Sequence, residues 1–341
     1  MPSSTSSSER TLPGGDWRAT WIVALAAAVA LIWWCEHVSR ARGQRPSVSD
    51  DLLSWSLARR SVDGDANVVA FVGTSRMQLA YSGHAFAEAA PGMRGVQLAI
   101  NGVPAIGILE DLAADDDFHG IAVVDVDEWD IAWGDLYAMA KPYVQRAHAL
   151  WRAPGALANR FLAGLAQERL AVLAIGGRPL VTSLAHGRWP APTWVVNDRD
   201  RVSVGDETLT DAATLRAKAD KRLTNFDTPA IPPEQWLANA HAFEPIVAQI
   251  RAHGGDVVFV RLPVSGRLAD GFAQHYPRAQ YWDAFAAHTA AHVLHYQDVP
   301  GLRVDCPDEM HVDVRNQDAV TRALVGSLRV MIPRWASTRR S

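Results

Sequence analysis

The chain has 341 residues, 48% of them hydrophobic and 21% charged, an ordinary globular composition that excludes a disordered or fibrous protein. A formal charge of −4 argues against a nucleic-acid partner, because displacing phosphate counterions requires a basic face. Two cysteines, Cys35 and Cys306, are too few for a disulfide framework.

Residues 1–16 are rich in Ser, Gly and Pro, carry no hydrophobic period, and are expected to form a disordered tail. An uncharged apolar run, Ala19 to Cys35, follows. As a helix it spans roughly 25 Å, and Trp17 and Val38 extend it, so residues 17–38 are predicted to be a transmembrane anchor. Trp21 marks one end and Trp33 and Trp34 the other, where amphipathic rings favour the two interfaces. The run ends Trp33-Trp34-Cys35-Glu36, a poor cleavage site, which favours an anchor over a removed signal peptide. Arg10 and Arg18 precede the span and Arg40, Arg42 and Arg45 follow it, so the positive charges give no clear orientation.

Residues 39–66 read as a polar linker with one helix, and residues 67–335 as an α/β domain. The short apolar run Asn67–Gly73 predicts a buried parallel strand. A helical stretch (Thr74–Ala90), a strand (Gly95–Ile100), a helix (Val103–Ala114) and a strand (Ile121–Val126) follow. This alternation implies βαβ units and an α/β fold with a central parallel sheet. It stops at about residues 137–230, which read as a mostly helical insertion: Tyr137–Ile175 helical, 176–210 irregular, and Ala212–Arg222 a short helix N-capped by Asp211. Such an insertion covers a site, docks on a partner, or merely decorates the fold. A helix (Pro233–His253), a strand (Asp256–Leu262), a helix (Tyr281–His295), a short last strand near Leu302–Val304, a loop (Asp305–Val314) and a closing helix (Gln317–Met331) complete the prediction.

Two segments carry chemistry. Gly73-Thr74-Ser75-Arg76 follows the first strand, at the carboxyl edge where parallel α/β sheets bind ligands. A serine at that turn projects its hydroxyl into the site, and its N–H is placed to hold an oxyanion. A hydroxyl needs a base to become a nucleophile. Asp308-Glu309-Met310-His311, in the loop before the last helix, supplies an imidazole and a carboxylate that can orient it.

On these two segments the chain resembles the SGNH (GDSL-like) hydrolase superfamily over roughly Val68–Met331, in particular its membrane-anchored bacterial members that modify cell-surface polysaccharides. The resemblance implies a three-layer αβα, flavodoxin-like fold, with Ser75 as nucleophile, Asp308 as orienting acid and His311 as base. It also implies that Gln97-Leu-Ala-Ile-Asn-Gly102 is the second conserved block, with the Gly102 N–H in the oxyanion hole and Asn101 as an additional donor. Two departures stand out. Thr74 replaces the usual aspartate before the serine, and the third block, normally the source of an asparagine donor, reads Val124-Asp125-Val126-Asp127-Glu128-Trp129. Loss of one such donor costs about 10²–10³ in rate.

The acids Asp125, Asp127, Glu128 and Asp130 read as a solvated loop, or as ligands for a sugar hydroxyl or a cation. Arg76 and Arg261 are candidates for holding an anionic or sugar group, with a structural salt bridge as the alternative. His288, His292 and His295 share one face of the predicted helix, a spacing open to zinc, but the absence of a neighbouring glutamate or cysteine favours a polar face. Cys306 reads as a small buried residue. No cofactor, metal or nucleotide-binding loop is expected.

The expectation is thus a serine esterase or O-acyltransferase acting through an acyl-enzyme on acyl groups, expected to be acetyl, of a carbohydrate polymer. The resemblance implies a membrane-bound O-acyltransferase as partner, and a bacterial inner-membrane location with a periplasmic domain. The alternatives are a non-catalytic SGNH-like scaffold that binds glycan or tethers an assembly, which the missing asparagine favours, and a cation-dependent enzyme using the acids of residues 125–130.

Overall fold

Strands form where the chain is apolar on both faces. Val68–Val72 (β1) and Ile121–Asp125 (β3) are buried throughout, and Asp256–Arg261 (β6) is buried after its first residue. Such runs suit a parallel sheet covered on both sides. In the computed structural model, which describes residues 17–132, 140–150, 154–175, 177–333 and 335, these three strands are the centre of a five-stranded parallel sheet. Arg94–Gln97 (β2) and His292–His295 (β7) form its edges, giving the order β2-β1-β3-β6-β7. The register sets Val69 beside Ile121 and Val123 beside Val258.

Alternate residues feed two cores. Val68, Ala70 and Val72 pack with Trp55, Leu109, Trp236 and Phe259 on one side, and Val69 and Phe71 with Phe86, Leu324 and Leu328 on the other. The second core is closed by the helix Val314–Met331, capped by Asp313.

Several elements differ from expectation. Thr74–Ala90 is two short helices, Ser75–Ala80 and Gly83–Ala89, the second capped by Ser82 Oγ. Pro233–His253 is broken by a 3₁₀ turn at His241–Phe243, and Pro245 opens its second half, where a missing N–H costs nothing. The predicted helix Tyr281–His295 ends at His288, and His292–His295 is the last strand rather than the stretch near Leu302–Val304. The open ladder of β6 captures it, pairing Val258 with His292 and Val260 with Leu294, and this tertiary pairing overrides the helical propensity of the alanines before it.

Residues 126–255 connect β3 to β6. They contain the helices Ala140–Leu150, Pro154–Gln167, Gly177–Ala185 and Ala212–Leu223, the last with Asp211 accepting from Thr214 N at 2.9 Å. They also contain an antiparallel hairpin of Val195–Asn197 (β4) and Ser203–Gly205 (β5). Arg201, at φ 64° in the hairpin turn, is buried and donates to Gln97 O at 2.6 Å and Ala99 O at 2.9 Å, so the hairpin covers the β2 edge. The N-terminal helix Trp17–Ala41 has 25 residues and is long and apolar enough to cross a membrane. The expected tail 1–16 and the start of the expected insertion at Tyr137 lie outside the described residues.

Candidate active site

The turn after β1 is set by glycine. A Cβ on Gly73 would lie 2.8 Å from Met77 Cβ and 2.9 Å from Asp125 Cβ, so only glycine lets the chain pass from strand to helix there. Thr74 caps the short helix, and Ser75, half-buried, is its first residue. Beyond β2 the chain continues beside this turn, with Leu98 N donating to Phe71 O at 2.8 Å and Ile100 N to Gly73 O at 3.0 Å. A tight turn follows, closed by Val103 N donating to Ile100 O at 3.1 Å, with Gly102 at φ +70° in the position that requires a left-handed residue. That turn puts Asn101 at the mouth of the cleft that Ser75 occupies.

The imidazole arrives from the other end of the chain. Ser75 Oγ lies 2.9 Å from His311 Nε2, across 236 residues of sequence. His311 Nδ1 lies 2.8 Å from Asp308 Oδ2, and Asp308 Oδ1 accepts from His311 N at 2.8 Å and Met310 N at 3.1 Å. With Nδ1–H donated to the carboxylate, Nε2 is the free acceptor for the serine proton. The sharp fold-back of this loop places Glu309 at φ 67°. Its backbone carbonyl accepts from Ser265 N at 3.0 Å and its side chain from Leu268 N at 2.9 Å, which anchors the loop to the first turn of the helix Gly266–His275.

A fourth group completes the row. Arg222 donates to Asp308 Oδ2 at 2.9 Å and to Asp308 O at 2.7 Å. Asp308 is fully buried, and burial alone would raise its carboxyl. The hydrogen bond and charge of His311, the Arg222 guanidinium and the His311 N–H outweigh that effect and hold it well below the usual range. Arg222 has no signal in the sequence, since it ends a helix of the insertion 86 residues from its partner. Asp308 is therefore a carboxylate at every physiological pH, as an orienting acid must be.

The cleft has a volume of about 440 Å³ and is walled by Ser75, His311, Asn101, Gln78, Trp194, Asn197 and, from the linker after the N-terminal helix, Asp50. The Trp194 ring lies 6.4 Å from the His311 ring, centroid to centroid, and Lys218 Nζ sits over the indole, 4.1 Å from its centroid. The hairpin thus supplies one wall and the linker another, held together by Arg201 donating to Asp50 Oδ1 at 2.6 Å.

Other candidates fall elsewhere. Arg76 is buried, donates to Asp127 Oδ2 at 2.7 Å and to Leu262 O at 2.7 Å, and lies 3.5 Å from Asp125, so it does not hold substrate. Arg261 is likewise buried against Glu128 at 2.9 Å. The acids at 125–130 are not a solvated loop or a ligand set: Asp125, Asp127 and Glu128 are buried within this ion-pair network. Burial pushes the Asp125 carboxyl up to about 6 against the attraction of Arg76, and Asp130 is raised by burial and by Asp127. The three histidines do not share a helix face, because His292 and His295 stand on β7. Burial, with Arg261 and Arg278 nearby, lowers His295 to about 3, which leaves it neutral. Cys306 is buried and its thiol is pushed up to about 12 by burial, as befits a packing residue. Among the described residues no group of three or more His, Cys, Asp or Glu is arranged to hold a metal ion.

Comparison with protein-family models, with curated proteins and with solved structures returned no match.

Proposed function

We propose that this chain is a serine-dependent ester-cleaving or acyl-transferring enzyme of the SGNH type, held at a membrane by its N-terminal helix. The observation that carries the reading is the unbroken row Ser75–His311–Asp308, with contacts of 2.9 and 2.8 Å in the polarity that nucleophilic catalysis needs. In this reaction His311 takes the Ser75 proton as Oγ attacks an ester carbonyl. The tetrahedral intermediate is held by N–H groups of the Ser75 and Gly102 turns, with Asn101 standing in for the missing third-block donor. His311 then returns the proton to the departing alcohol; the same imidazole next takes a proton from water or a sugar hydroxyl as it attacks the acyl-enzyme, and gives it to Ser75 Oγ as the ester bond to Ser75 breaks. The cleft favours a carbohydrate ester: it offers an indole face beside the base and the polar side chains Asp50, Gln78, Asn101 and Asn197 along its walls. A partner that delivers acyl groups across the bilayer and a periplasmic site of action complete the proposal. The decisive experiment treats the purified chain with a fluorophosphonate and a small acetyl ester. A covalent adduct at Ser75, with turnover lost in Ser75→Ala, is the expected result. Equal ester turnover by the parent and Ser75→Ala, with no adduct, overturns the enzyme and leaves the glycan-binding scaffold.

A further inference from the structure

The insertion carries most of the exposed large hydrophobic residues outside the N-terminal helix. Outside the N-terminal helix, the exposed large hydrophobic residues among those described are Leu57, Phe161, Leu162, Leu173, Val181, Leu184, Leu209 and Val330, and five of these eight fall between residues 161 and 184. Phe161 and Leu162 are 61% and 66% exposed on the helix Pro154–Gln167, and Val181 and Leu184, one turn apart, are 69% and 50% exposed on Gly177–Ala185. Val181 and Leu184, at i and i+3, share one side of their helix.

The 3₁₀ turn Ala171–Ala174 that joins these helices is fastened to the last turns of the anchor. The Glu36 carboxylate accepts from Ala171 N and Val172 N, each at 3.0 Å, and Arg40 donates to Arg169 O at 2.7 Å. Trp34 meets Trp189 edge-on at 6.0 Å, and Arg42 lies over the same Trp189 ring at 5.7 Å. Glu36 is also the residue at which the uncharged run ends, so the turn between the two helices is fastened at the point where the anchor leaves hydrocarbon. Residues 154–190 carry Arg160, Arg169, Arg178 and Arg188 against the single acid Glu168, which is paired with Arg199 at 2.6 Å. A segment with exposed apolar side chains and an excess of arginine, tied to tryptophans at the end of the anchor, has the pattern of a helix pair lying in a bilayer interface.

We infer that the helices Pro154–Gln167 and Gly177–Ala185 are a membrane-surface seat. Their apolar side chains enter the headgroup region of an anionic bilayer beside the anchor, and the acidic headgroups neutralise the arginines. This inference rests on the membrane-anchor reading and goes beyond it, because a single spanning helix leaves the domain free to tilt whereas a seated insertion fixes which way the cleft faces.

The test uses the full chain in nanodiscs of phosphatidylcholine and phosphatidylglycerol, with Cys35→Ser and one nitroxide at a time on Val29→Cys, Phe161→Cys, Val181→Cys or Val330→Cys. Cys306 is buried and stays unlabelled. Relaxation by oxygen, which partitions into lipid, is compared with relaxation by a water-soluble nickel chelate. The expected result is an oxygen-to-nickel ratio several-fold higher at 161 and 181 than at Val330, which is 87% exposed on the closing helix. A lipid signal at 29 with water-like ratios at 161 and 181 overturns the seat and leaves the anchor intact. Shielding of 161 and 181 from both reagents means that protein covers them, and also overturns it. A water-like ratio at 29 removes the anchor itself, and the seat with it.

Discussion

Arg222 grips Asp308 from behind, 2.9 Å from the carboxylate oxygen that also binds His311. The guanidinium comes from the insertion and the carboxylate from the loop before the last helix, so the insertion is part of the machinery that holds the imidazole in place. Arg222→Met removes a charge-assisted hydrogen bond worth about 2 kcal/mol, and a fall of roughly 30-fold in kcat with little change in KM is expected. It also lets the Asp308 carboxyl rise toward its ordinary range, so the variant loses activity at a higher pH on the acid side than the parent. Arg222→Lys should recover part of the rate, and a pH–rate profile of the three proteins checks this. An acid limb that stays in place in Arg222→Met refutes the positioning role.

Asn101 stands at the mouth of the cleft with Ser75 and His311. If its amide steadies the oxyanion, Asn101→Ala lowers kcat by about 10²–10³ while fluorophosphonate still reaches Ser75. Steady-state kinetics on a small ester decides it. A change confined to KM makes Asn101 a substrate contact instead.

The buried acid network gives a pH signature separate from catalysis. Asp125 is pushed up to about 6, first by burial, against the pull of Arg76. Between its ordinary value near 3.9 and that value, the folded chain keeps a proton that the unfolded chain has released, so this group lowers stability as pH rises through the window. Asp125→Asn abolishes that loss. Urea denaturation should find the variant near parity with the parent at pH 4 and more stable by about 2 kcal/mol at pH 7. A pH-independent difference contradicts the assignment.

Gly73→Ala forces a methyl group to within 2.8 Å of Met77 Cβ and 2.9 Å of Asp125 Cβ. Neither neighbour can retreat, since both are buried, and overpacking of this kind costs about 1–3 kcal/mol. The urea midpoint measures that loss, and labelling of Ser75 should slow with it. Unchanged stability and labelling would mean that the turn has room to shift.

What was legible in the sequence divides along physical lines. β1, β3 and β6 announce themselves because burial on both faces demands unbroken apolar runs, and Asp308 and His311 because three residues of one loop suffice to bring carboxylate and imidazole together. β7 does not, because an edge strand of four residues with histidines at both ends carries no apolar run and takes its conformation from β6. The acids at 125–130 look solvated in isolation, since their counterions come from distant parts of the chain, Arg76 from the helix after β1 and Arg261 from the end of β6. β4 and β5, three residues each, are too short to show alternation, so the wall they form over the cleft could not be foreseen.

If Ser75 and His311 act as nucleophile and base, the 236 residues between them have a consequence for biosynthesis. When the ribosome has delivered the N-terminal helix and Ser75, nearly all of the chain that activates Ser75 is still unmade. A nascent or prematurely terminated chain ending before residue 311 carries a serine with ordinary alcohol reactivity, and the contacts that tie the ends together are among the slowest to form. On the proposed reading, acyl-cleaving power would therefore arise only once residue 311 has been made and folded back onto Ser75, which would spare a cell from half-made copies attacking esters at random.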